Sequence, residues 1–275
     1  MNVTDRIEQK LTKLKNLLSN YEKAVIAFSG GVDSTFLAAA ARDTMSDVLL
    51  VTARSESLTK EEQQDCVTIA QSLGLRHVFL EAGEFEDKHF VANTAERCYF
   101  CKKSRFSALA DWAKSRGYSV IFDGTNVDDQ GDYRPGLKAL AEIAMVKSPL
   151  LEAGFYKKDI RFLSEKWQLP TWDKPSAACL VSRLTYGVPI TKEHLKQVEQ
   201  AERIVRPFVT GQLRVRHHGN LARIEVESDQ VDLLLKEPAR TAIVQALKKF
   251  GFTYVTVELG GYRTGSMNEM LEMKP

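Results

Sequence analysis

Charge of one sign, cysteine and long apolar runs are all scarce in this 275-residue sequence. Its 38 basic and 36 acidic residues leave a net charge of only +2, so we expect neither a nucleic acid nor an acidic membrane surface as partner. Four cysteines are too few for the disulfide framework of a small secreted protein. The longest purely apolar run, 36–41, has six residues, against the roughly 20 that span a bilayer. We therefore expect a folded cytoplasmic protein without a membrane partner.

Short apolar runs alternate with helical segments in the first part of the chain. The runs at 24–28, 48–51, 77–80 and 119–122 are largely apolar throughout, which is typical of strands buried on both faces. Helical segments separate them, and one of these is predicted around 102–116. The one over 59–73 begins at Thr59 and has Glu62 three residues on, the spacing of a capping box. This alternation predicts an α/β fold built on a doubly wound parallel sheet.

The pattern changes near residue 185. A threonine-capped helix over 191–206, a hairpin of strands 213–216 and 222–226, and a last strand over 254–259 indicate an α+β arrangement. We therefore predict two domains, one over residues 1–185 and a smaller α+β domain over 186–275.

One glycine-rich loop connects a predicted buried strand to a helix. Two glycines let the backbone approach a polyanion closely, and the following helix N-terminus offers unpaired N–H groups and the positive end of its dipole. The alternative, a plain strand-to-helix turn, also uses glycine and serine. Neither a Walker lysine nor GxGxxG spacing is present, which disfavours P-loop and dinucleotide sites. The candidate phosphate-binding residues are Ser29, Gly30, Gly31, Asp33 and Ser34.

This loop resembles that of the ATP-pyrophosphatase (PP-loop) superfamily, which implies that it grips the pyrophosphate leaving ATP. Asp123-Gly-Thr-Asn126 and Asp132-Tyr-Arg-Pro-Gly136 resemble two further nucleotide-side segments of that superfamily. The resemblance implies ATP-binding roles for Gly124, Thr125, Asn126 and Arg134, and Mg²⁺ binding by Asp33 and Asp129. The alternative for Asp123 and Asp129 is that they cap turns.

Three of the four cysteines form a second candidate site. Cys98-Tyr-Phe-Cys101 is a CxxC pair, which by itself is compatible with redox, zinc or cluster roles, and Cys179 lies further on. Three thiolates without an obvious fourth ligand suit an iron–sulfur cluster that leaves one iron open. The alternative is that the pair is structural and Cys179 packs in a core. Cys66 falls inside the predicted helix 59–73, where we expect it to be buried.

Beyond the loop, the chain resembles the LarE-type sulfur transferases that build the nickel-pincer cofactor of lactate racemase. The resemblance extends over most of the chain and includes Val181-Ser-Arg183, Arg214-Val-Arg216, Ala222-Arg-Ile-Glu225 and Leu259-Gly-Gly-Tyr-Arg-Thr-Gly265. It implies a small-molecule substrate, a pyridinium dicarboxylate mononucleotide whose carboxylates are adenylated by ATP and then converted to thiocarboxylates. One version of the family sacrifices a single cysteine and lacks the CxxC pair. This chain resembles the other version, in which three cysteines hold a 4Fe-4S cluster that receives sulfide.

The resemblance also implies a site for the phosphate of the mononucleotide, at Ser182, Arg183, Arg214 and Arg216. Arginine suits that task because its planar fork pairs with two phosphate oxygens; the alternative is a solvated strand face. Glu202, Glu225 and Asp232 lie near functional acids of the family and are candidate metal ligands. A homo-oligomer, with the C-terminal domain binding substrate and associating, is expected on the resemblance alone.

Three other functions remain open from the sequence. A PP-loop tRNA thiolase would use nearly the same chemistry, but the low net charge disfavours it because tRNA affinity depends on many phosphate contacts. An amide-forming PP-loop ligase would use ammonia and need no cluster. A non-catalytic nucleotide-binding or sulfide-sensing module would not need a pyrophosphate grip.

Overall fold

In the computed structural model, which describes residues 3–131, 135–175, 178–267 and 269, the chain forms two compact units. Unit 1 comprises residues 1–84 and 98–177, and unit 2 comprises residues 85–97 and 178–275. The described helices are, in chain order, α1 (Val3–Leu18), α2 (Val32–Arg42), α3 (Lys60–Ser72), α4 (Lys88–Val91), α5 (Arg97–Ser115), α6 (Pro135–Ala141), α7 (Pro149–Glu152), α8 (Lys157–Lys166), α9 (Lys192–Val205), α10 (Val231–Leu235) and α11 (Ala239–Lys249).

Unit 1 is built on a parallel sheet. Its strands are β1 (Lys23–Ala27), β2 (Asp47–Arg54), β3 (Arg76–Glu81), β4 (Ile121–Phe122) and β5 (Val146–Lys147). They lie in the order β3-β2-β1-β4-β5, and every pairing is parallel. The α/β fold with a doubly wound parallel sheet is therefore confirmed. β5, which has only two residues, was not predicted from the sequence.

The predicted start of the helix is confirmed for α3 and is wrong for α5. Thr59 and Glu62 form the expected capping box, in which the backbone N–H of Glu62 donates to Thr59 Oγ1 at 3.1 Å and that of Thr59 donates to Glu62 Oε2 at 2.8 Å. Helix α5 begins at Arg97, five residues before the predicted start at Lys102. The first turn of α5 therefore contains the CxxC pair, and helical geometry fixes the spacing of its two thiols.

Unit 2 contains a three-stranded sheet of β6 (Leu213–His218), β7 (Leu221–Val226) and β8 (Tyr254–Val257). Strands β6 and β7 form the predicted hairpin, and the tight turn places Gly219 at a φ of 70°, which glycine adopts without strain. Side chains alternate between the two faces of a strand. One face is apolar and forms a core with α9 and α11, whereas the other carries Arg214, Arg216 and Glu225.

The division between the units differs from the expected single boundary near residue 185. The structure divides the chain at 177–178 and adds residues 85–97 to unit 2. The side-chain amide of Asn93 donates to the carbonyl oxygens of Thr185 (2.8 Å) and Val188 (2.7 Å). Arg97 donates to Asn93 Oδ1 at 2.6 Å and to the carbonyl oxygen of Leu184 at 3.0 Å. Hydrogen bonds between residues so far apart in the chain leave no local pattern in the sequence.

Across the described ranges, no helix has the length and apolar character needed to cross a membrane.

Candidate active site

The glycine-rich loop follows β1 and leads into α2. Gly30 has a φ of +63°, in the left-handed region that side chains other than glycine rarely adopt. A Cβ at Gly30 would also lie 3.2 Å from Cys66 Sγ, so the loop is packed directly on α3. Cys66 is fully buried, as expected. Both the backbone conformation and the packing therefore require glycine at this position.

Hydrogen bonds hold the loop in shape. Ser34 Oγ accepts a hydrogen bond from the backbone N–H of Ser29 at 3.4 Å and donates to the carbonyl oxygen of Gly31 at 3.3 Å. From the segment after α8, Lys174 Nζ donates to the carbonyl oxygen of Gly30 at 3.2 Å and pairs with Asp65 at 2.7 Å. The loop is thus pre-shaped, which lowers the entropic cost of binding a polyanion.

A cavity of about 590 Å³ lies beside the loop, at the carboxyl ends of the parallel strands. Its apolar lining includes Phe28, Val51, Leu58, Phe106 and Leu109. The polar lining includes Ser29, Asp33, Ser34, Lys102, Arg105, Asp128 and Lys157. An apolar wall beside a polar one suits a nucleotide, since the base is flat and largely apolar while the phosphates are charged.

The segment after β4 lines the same cavity. Asp123 accepts hydrogen bonds from the backbone N–H (3.1 Å) and hydroxyl (3.0 Å) of Thr125, and Asp129 Oδ2 accepts one from the backbone N–H of Asn126 at 3.0 Å. Both aspartates therefore cap the turn. Burial raises the pKa of Asp123, which hydrogen bonds from Ser148 and Thr125 oppose.

Gly124 makes the close approach between this segment and the loop. A Cβ at Gly124 would lie 3.2 Å from the backbone nitrogen of Ser34 and 3.3 Å from Asp33 Cβ. The structure thus brings Gly124, Thr125 and Asn126 to the cavity that the loop lines. Arg134, and with it Asp132 and Tyr133, lies outside the described residues, so its nucleotide-binding role stays a prediction.

Asp33 is ion-paired with a lysine that was not among the candidate site residues predicted from the sequence. Its Oδ2 contacts the ammonium of Lys157, the first residue of α8. Burial raises the pKa of Asp33, although Lys157 acts in the opposite direction. Asp33 Oδ1 is buried and has no hydrogen-bond partner within the described ranges. Because Lys157 lies 124 positions after Asp33 in the chain, no local motif could have indicated the contact.

Helix α5 presents one face to the cavity. Lys102, Arg105, Phe106 and Leu109 line the cavity, at spacings of three and four residues. Cys98 lies four residues before Lys102 and therefore on the same face, one turn closer to the N-terminus of the helix. Cys101 lies beside that face and is half-buried, whereas Cys98 is exposed. The CxxC pair thus continues the wall of α5 that lines the cavity.

Cys179 belongs to unit 2, where it directly precedes a 3₁₀ helix, Leu180–Arg183, and is exposed. Within the described residues, no three His, Cys, Asp or Glu side chains form a group suited to a metal ion. The three-cysteine cluster, and metal binding by Asp33 with Asp129 or by Glu202, Glu225 and Asp232, therefore stay predictions. The donor set still fits an iron–sulfur cluster chemically, because thiolates are its usual ligands and all three are at least partly accessible.

An arginine cluster lies within unit 2. Arg183 pairs with Glu202 at 2.9 Å, and Arg216 pairs with the fully buried Glu225 at 2.8 Å. Glu225 also accepts a hydrogen bond from Arg223 at 2.9 Å. Both glutamates therefore hold guanidinium groups in place. Ser182 Oγ donates to the carbonyl oxygen of Cys179 at 2.8 Å, and Asp232 is exposed on α10.

Arg214 differs from its neighbours. It is only 8% exposed, yet among the described residues no carboxylate pairs with it. Its guanidinium donates to the carbonyl oxygen of Leu213 at 2.7 Å and lies 5.3 Å from the ring centre of Tyr262. Burial, and next the charge of Arg183, lowers the pKa of Arg214, whereas the charge of Glu202 acts in the opposite direction. Glu202 itself is ion-paired with Arg183. A buried guanidinium that forms no ion pair of its own within the described ranges is a feature expected of an anion-binding site.

Known proteins resemble the chain over nearly its whole length. Residues 3–133 match the PP-loop domain family. An uncharacterized protein of Synechocystis sp. is 40% identical over 266 residues, which span 96% of this chain and 99% of that protein. The pyridinium-3,5-bisthiocarboxylic acid mononucleotide synthase of Lactiplantibacillus plantarum is 36% identical over 95% of each chain.

A tRNA-specific 2-thiouridylase of Wolbachia pipientis is more distant, at 27% identity over 69% of this chain and 61% of that protein. The near full-length match to the synthase agrees with the phosphate loop and with the cavity at the carboxyl ends of the strands. The chain therefore belongs to the LarE-type family of ATP-dependent sulfurtransferases within the PP-loop superfamily.

Proposed function

We propose that this enzyme adenylates the carboxylates of pyridinium-3,5-dicarboxylate mononucleotide and replaces the AMP by sulfur, giving thiocarboxylates. The observation that carries the proposal is the position of Cys98 on the face of α5 that lines the nucleotide cavity. A nucleotide site and a thiol on one continuous wall suit an enzyme that activates a carbon and then transfers sulfur to it.

The first step is formation of an acyl-adenylate. A carboxylate oxygen of the substrate attacks the α-phosphorus of ATP, the bond to the β-phosphate oxygen breaks, and pyrophosphate leaves. The loop at Gly30 and Gly31 and the N-terminus of α2 offer backbone N–H groups to the departing pyrophosphate. Lys157 supplies a positive charge at the same place.

One carboxylate oxygen at this site is suited to bind Mg²⁺. Asp33 Oδ1 is buried and lacks a hydrogen-bond partner within the described ranges, and carboxylate oxygen is the ligand type that Mg²⁺ prefers. Bound Mg²⁺ would neutralise phosphate charge during adenylation. Asp129, which lines the same cavity, is the second candidate ligand.

The second step transfers sulfur. A hydrosulfide attacks the carbonyl carbon of the adenylate, the bond from that carbon to the AMP oxygen breaks, and a proton is released. We propose that Cys98, Cys101 and Cys179 hold a 4Fe-4S cluster, which would supply an open iron site for the hydrosulfide. This assignment rests on the donor set and on the resemblance to the three-cysteine version of the family.

The phosphate of the substrate is assigned to the arginine cluster of unit 2. Arg214 forms no ion pair within the described ranges, while Arg183 and Arg216 are oriented by their glutamates. Ser182 adds a hydroxyl next to this cluster, since Arg216 donates to its carbonyl oxygen at 3.2 Å. A homo-oligomer in the cytoplasm remains our expectation for the assembled enzyme.

Anaerobic purification tests the proposal. We expect iron and acid-labile sulfide in the wild-type protein and pyrophosphate release that depends on the dicarboxylate mononucleotide. Replacing Cys98, Cys101 or Cys179 by Ala should remove the iron and the thiocarboxylate product but leave acceptor-dependent pyrophosphate release intact. That retained adenylation is the internal control for folding.

Each alternative gives a different result. An iron-free, colourless protein with full activity on ammonia would identify an amidoligase. Saturable binding of bulk tRNA at moderate salt would support a tRNA thiolase. Absence of any acceptor-dependent pyrophosphate release would contradict adenylation of this substrate.

A further inference from the structure

We propose that the guanidinium of Arg105 binds the substrate carboxylate that becomes adenylated. This assignment rests on the proposed function and adds the residue that places the reacting group. It comes from three features of unit 1: a buried anchor for Arg105, the direction in which its charge faces, and its place on α5.

The anchor is Glu84, which is completely buried. Glu84 Oε1 accepts hydrogen bonds from Ser55 Oγ at 2.6 Å and from Arg105 Nε at 3.2 Å. Arg105 Nη2 donates to Ser55 Oγ at 2.9 Å and contacts Ser57 Oγ. Several hydrogen bonds that the guanidinium donates to fixed partners restrict it to one orientation, as a binding residue requires.

Of the two charged groups in this ion pair, the positive one faces the cavity. Arg105 is 22% exposed and lines the cavity, whereas Glu84 is fully buried and is not part of the lining. The pair is neutral as a whole, but its positive end is the one that a ligand meets. An anion in the cavity is therefore stabilised by a preorganised donor that needs little rearrangement.

The place of Arg105 on α5 indicates which anion it meets. The phosphate loop has cations of its own, since Lys157 is ion-paired with Asp33 and the charge of Arg161 also acts on Asp33. Arg105 instead lies one helical turn after Cys101, on the wall that carries the thiols. The carboxylate must be reached by the α-phosphate and later by sulfur, so it belongs on this wall.

The alternative is that Arg105 only neutralises Glu84. Two variants separate the possibilities: Arg105→Gln alone, and Glu84→Gln with Arg105→Gln, which removes both charges together. If the role is only structural, the double variant restores the KM for the acceptor because no buried charge is left unpaired. If Arg105 binds the carboxylate, the KM stays raised in both variants.

The measurement is pyrophosphate release as a function of pyridinium-3,5-dicarboxylate mononucleotide, with ATP affinity measured separately in its absence. We expect the KM for the acceptor to rise about tenfold or more, the loss from one charge-assisted hydrogen bond, and ATP affinity to change less than about twofold. Lys103→Gln is the matched control, because Lys103 lies on the same helix, is ion-paired with the exposed Glu142 and does not line the cavity.

Two results would overturn the assignment: rescue of the acceptor KM in the double variant, or a loss confined to ATP affinity. If Arg105→Gln fails to fold, the double variant decides alone, since it leaves no unpaired charge. Failure of the wild-type enzyme to release pyrophosphate with this acceptor would instead contradict the proposed function. The two failures are thus distinguishable.

Discussion

The ammonium of Lys157 and the carboxylate of Asp33 form an ion pair in the cavity beside the glycine-rich loop, although they come from the first turns of two different helices. A carboxylate in a phosphate site repels phosphate unless a cation accompanies it. Lys157 is that cation in this structure, and the pair leaves Oδ1 of Asp33 available for a metal ion. Binding of Mg²⁺ and ATP would allow the lysine to contact phosphate instead.

Replacing Lys157 by Ala should therefore have two opposite effects. ATP–pyrophosphate exchange should fall by about tenfold, equivalent to about 1.4 kcal/mol, because a cation at the phosphates is lost. Binding of Mn²⁺ without nucleotide should tighten, because the competitor for Asp33 is gone. Lys158→Ala is the control, since Lys158 lies over the ring of Tyr156 and does not line the cavity. Equal behaviour of the two variants would contradict the prediction.

Gly124→Ala should disturb the loop through its backbone contact. The new methyl group would lie 3.2 Å from the backbone nitrogen of Ser34, so the loop must shift by a few tenths of an ångström. We expect ATP affinity to fall by about tenfold and the free energy of unfolding by about 1–3 kcal/mol. Titration with ATP measures the affinity, and unfolding in urea measures the free energy of unfolding. Gly260→Ala should change neither, because the new methyl group would lie 3.5 Å from Glu258 Oε1, an ordinary contact distance.

The arginine cluster yields a contrast between two neighbouring positions. Arg216→Met should lower the free energy of unfolding by about 3–5 kcal/mol, because it leaves the buried Glu225 with fewer partners. Arg214→Met should cost little or even stabilise the fold, since it removes a buried charge without a carboxylate partner in the described ranges. It should nevertheless weaken binding of a pyridine mononucleotide. Urea unfolding combined with calorimetric titration tests both, and equal destabilisation would contradict the contrast.

His217 should make the stability of the protein depend on pH. It is 1% exposed, and burial, with the nearby His194, lowers its pKa to about 4. Because the pKa of a histidine is about 6.5 in the unfolded chain, the free energy of unfolding is highest above pH 6.5 and decreases as the pH falls towards 4. The loss is about 3 kcal/mol at its largest. His217→Phe should flatten urea unfolding free energies over this range; an unchanged slope would contradict the assignment.

Those parts of the fold that depend on local pattern were predictable from the sequence. The apolar strands, the capping box at Thr59 and the hairpin over β6 and β7 are confirmed, because each depends on residues close together in the chain. The start of α5 was missed since its first turn holds cysteines and aromatic residues without a clear helical period. The loop was recognisable because its glycines and hydroxyls are contiguous.

The rest of the candidate site depends on long-range contacts. Lys157 contacts Asp33 although the two lie 124 positions apart in the chain, and Glu84 contacts Arg105 across separate segments of unit 1. Neither pair has a sequence spacing that could indicate it. Arg214 and Arg216 lie two residues apart and therefore on one face of β6, but the absence of a carboxylate partner for Arg214 within the described ranges follows only from the structure.

The path of the chain has a practical consequence for dissecting this enzyme. The polypeptide leaves unit 1 after residue 84, returns at residue 98 and leaves it again after residue 177. The chain therefore passes from one unit to the other at three places, and a single proteolytic cut leaves at least two of these connections intact. Expressing residues 1–177 alone would strip Asn93 of its acceptors Thr185 and Val188, just ahead of the turn that carries the CxxC thiols.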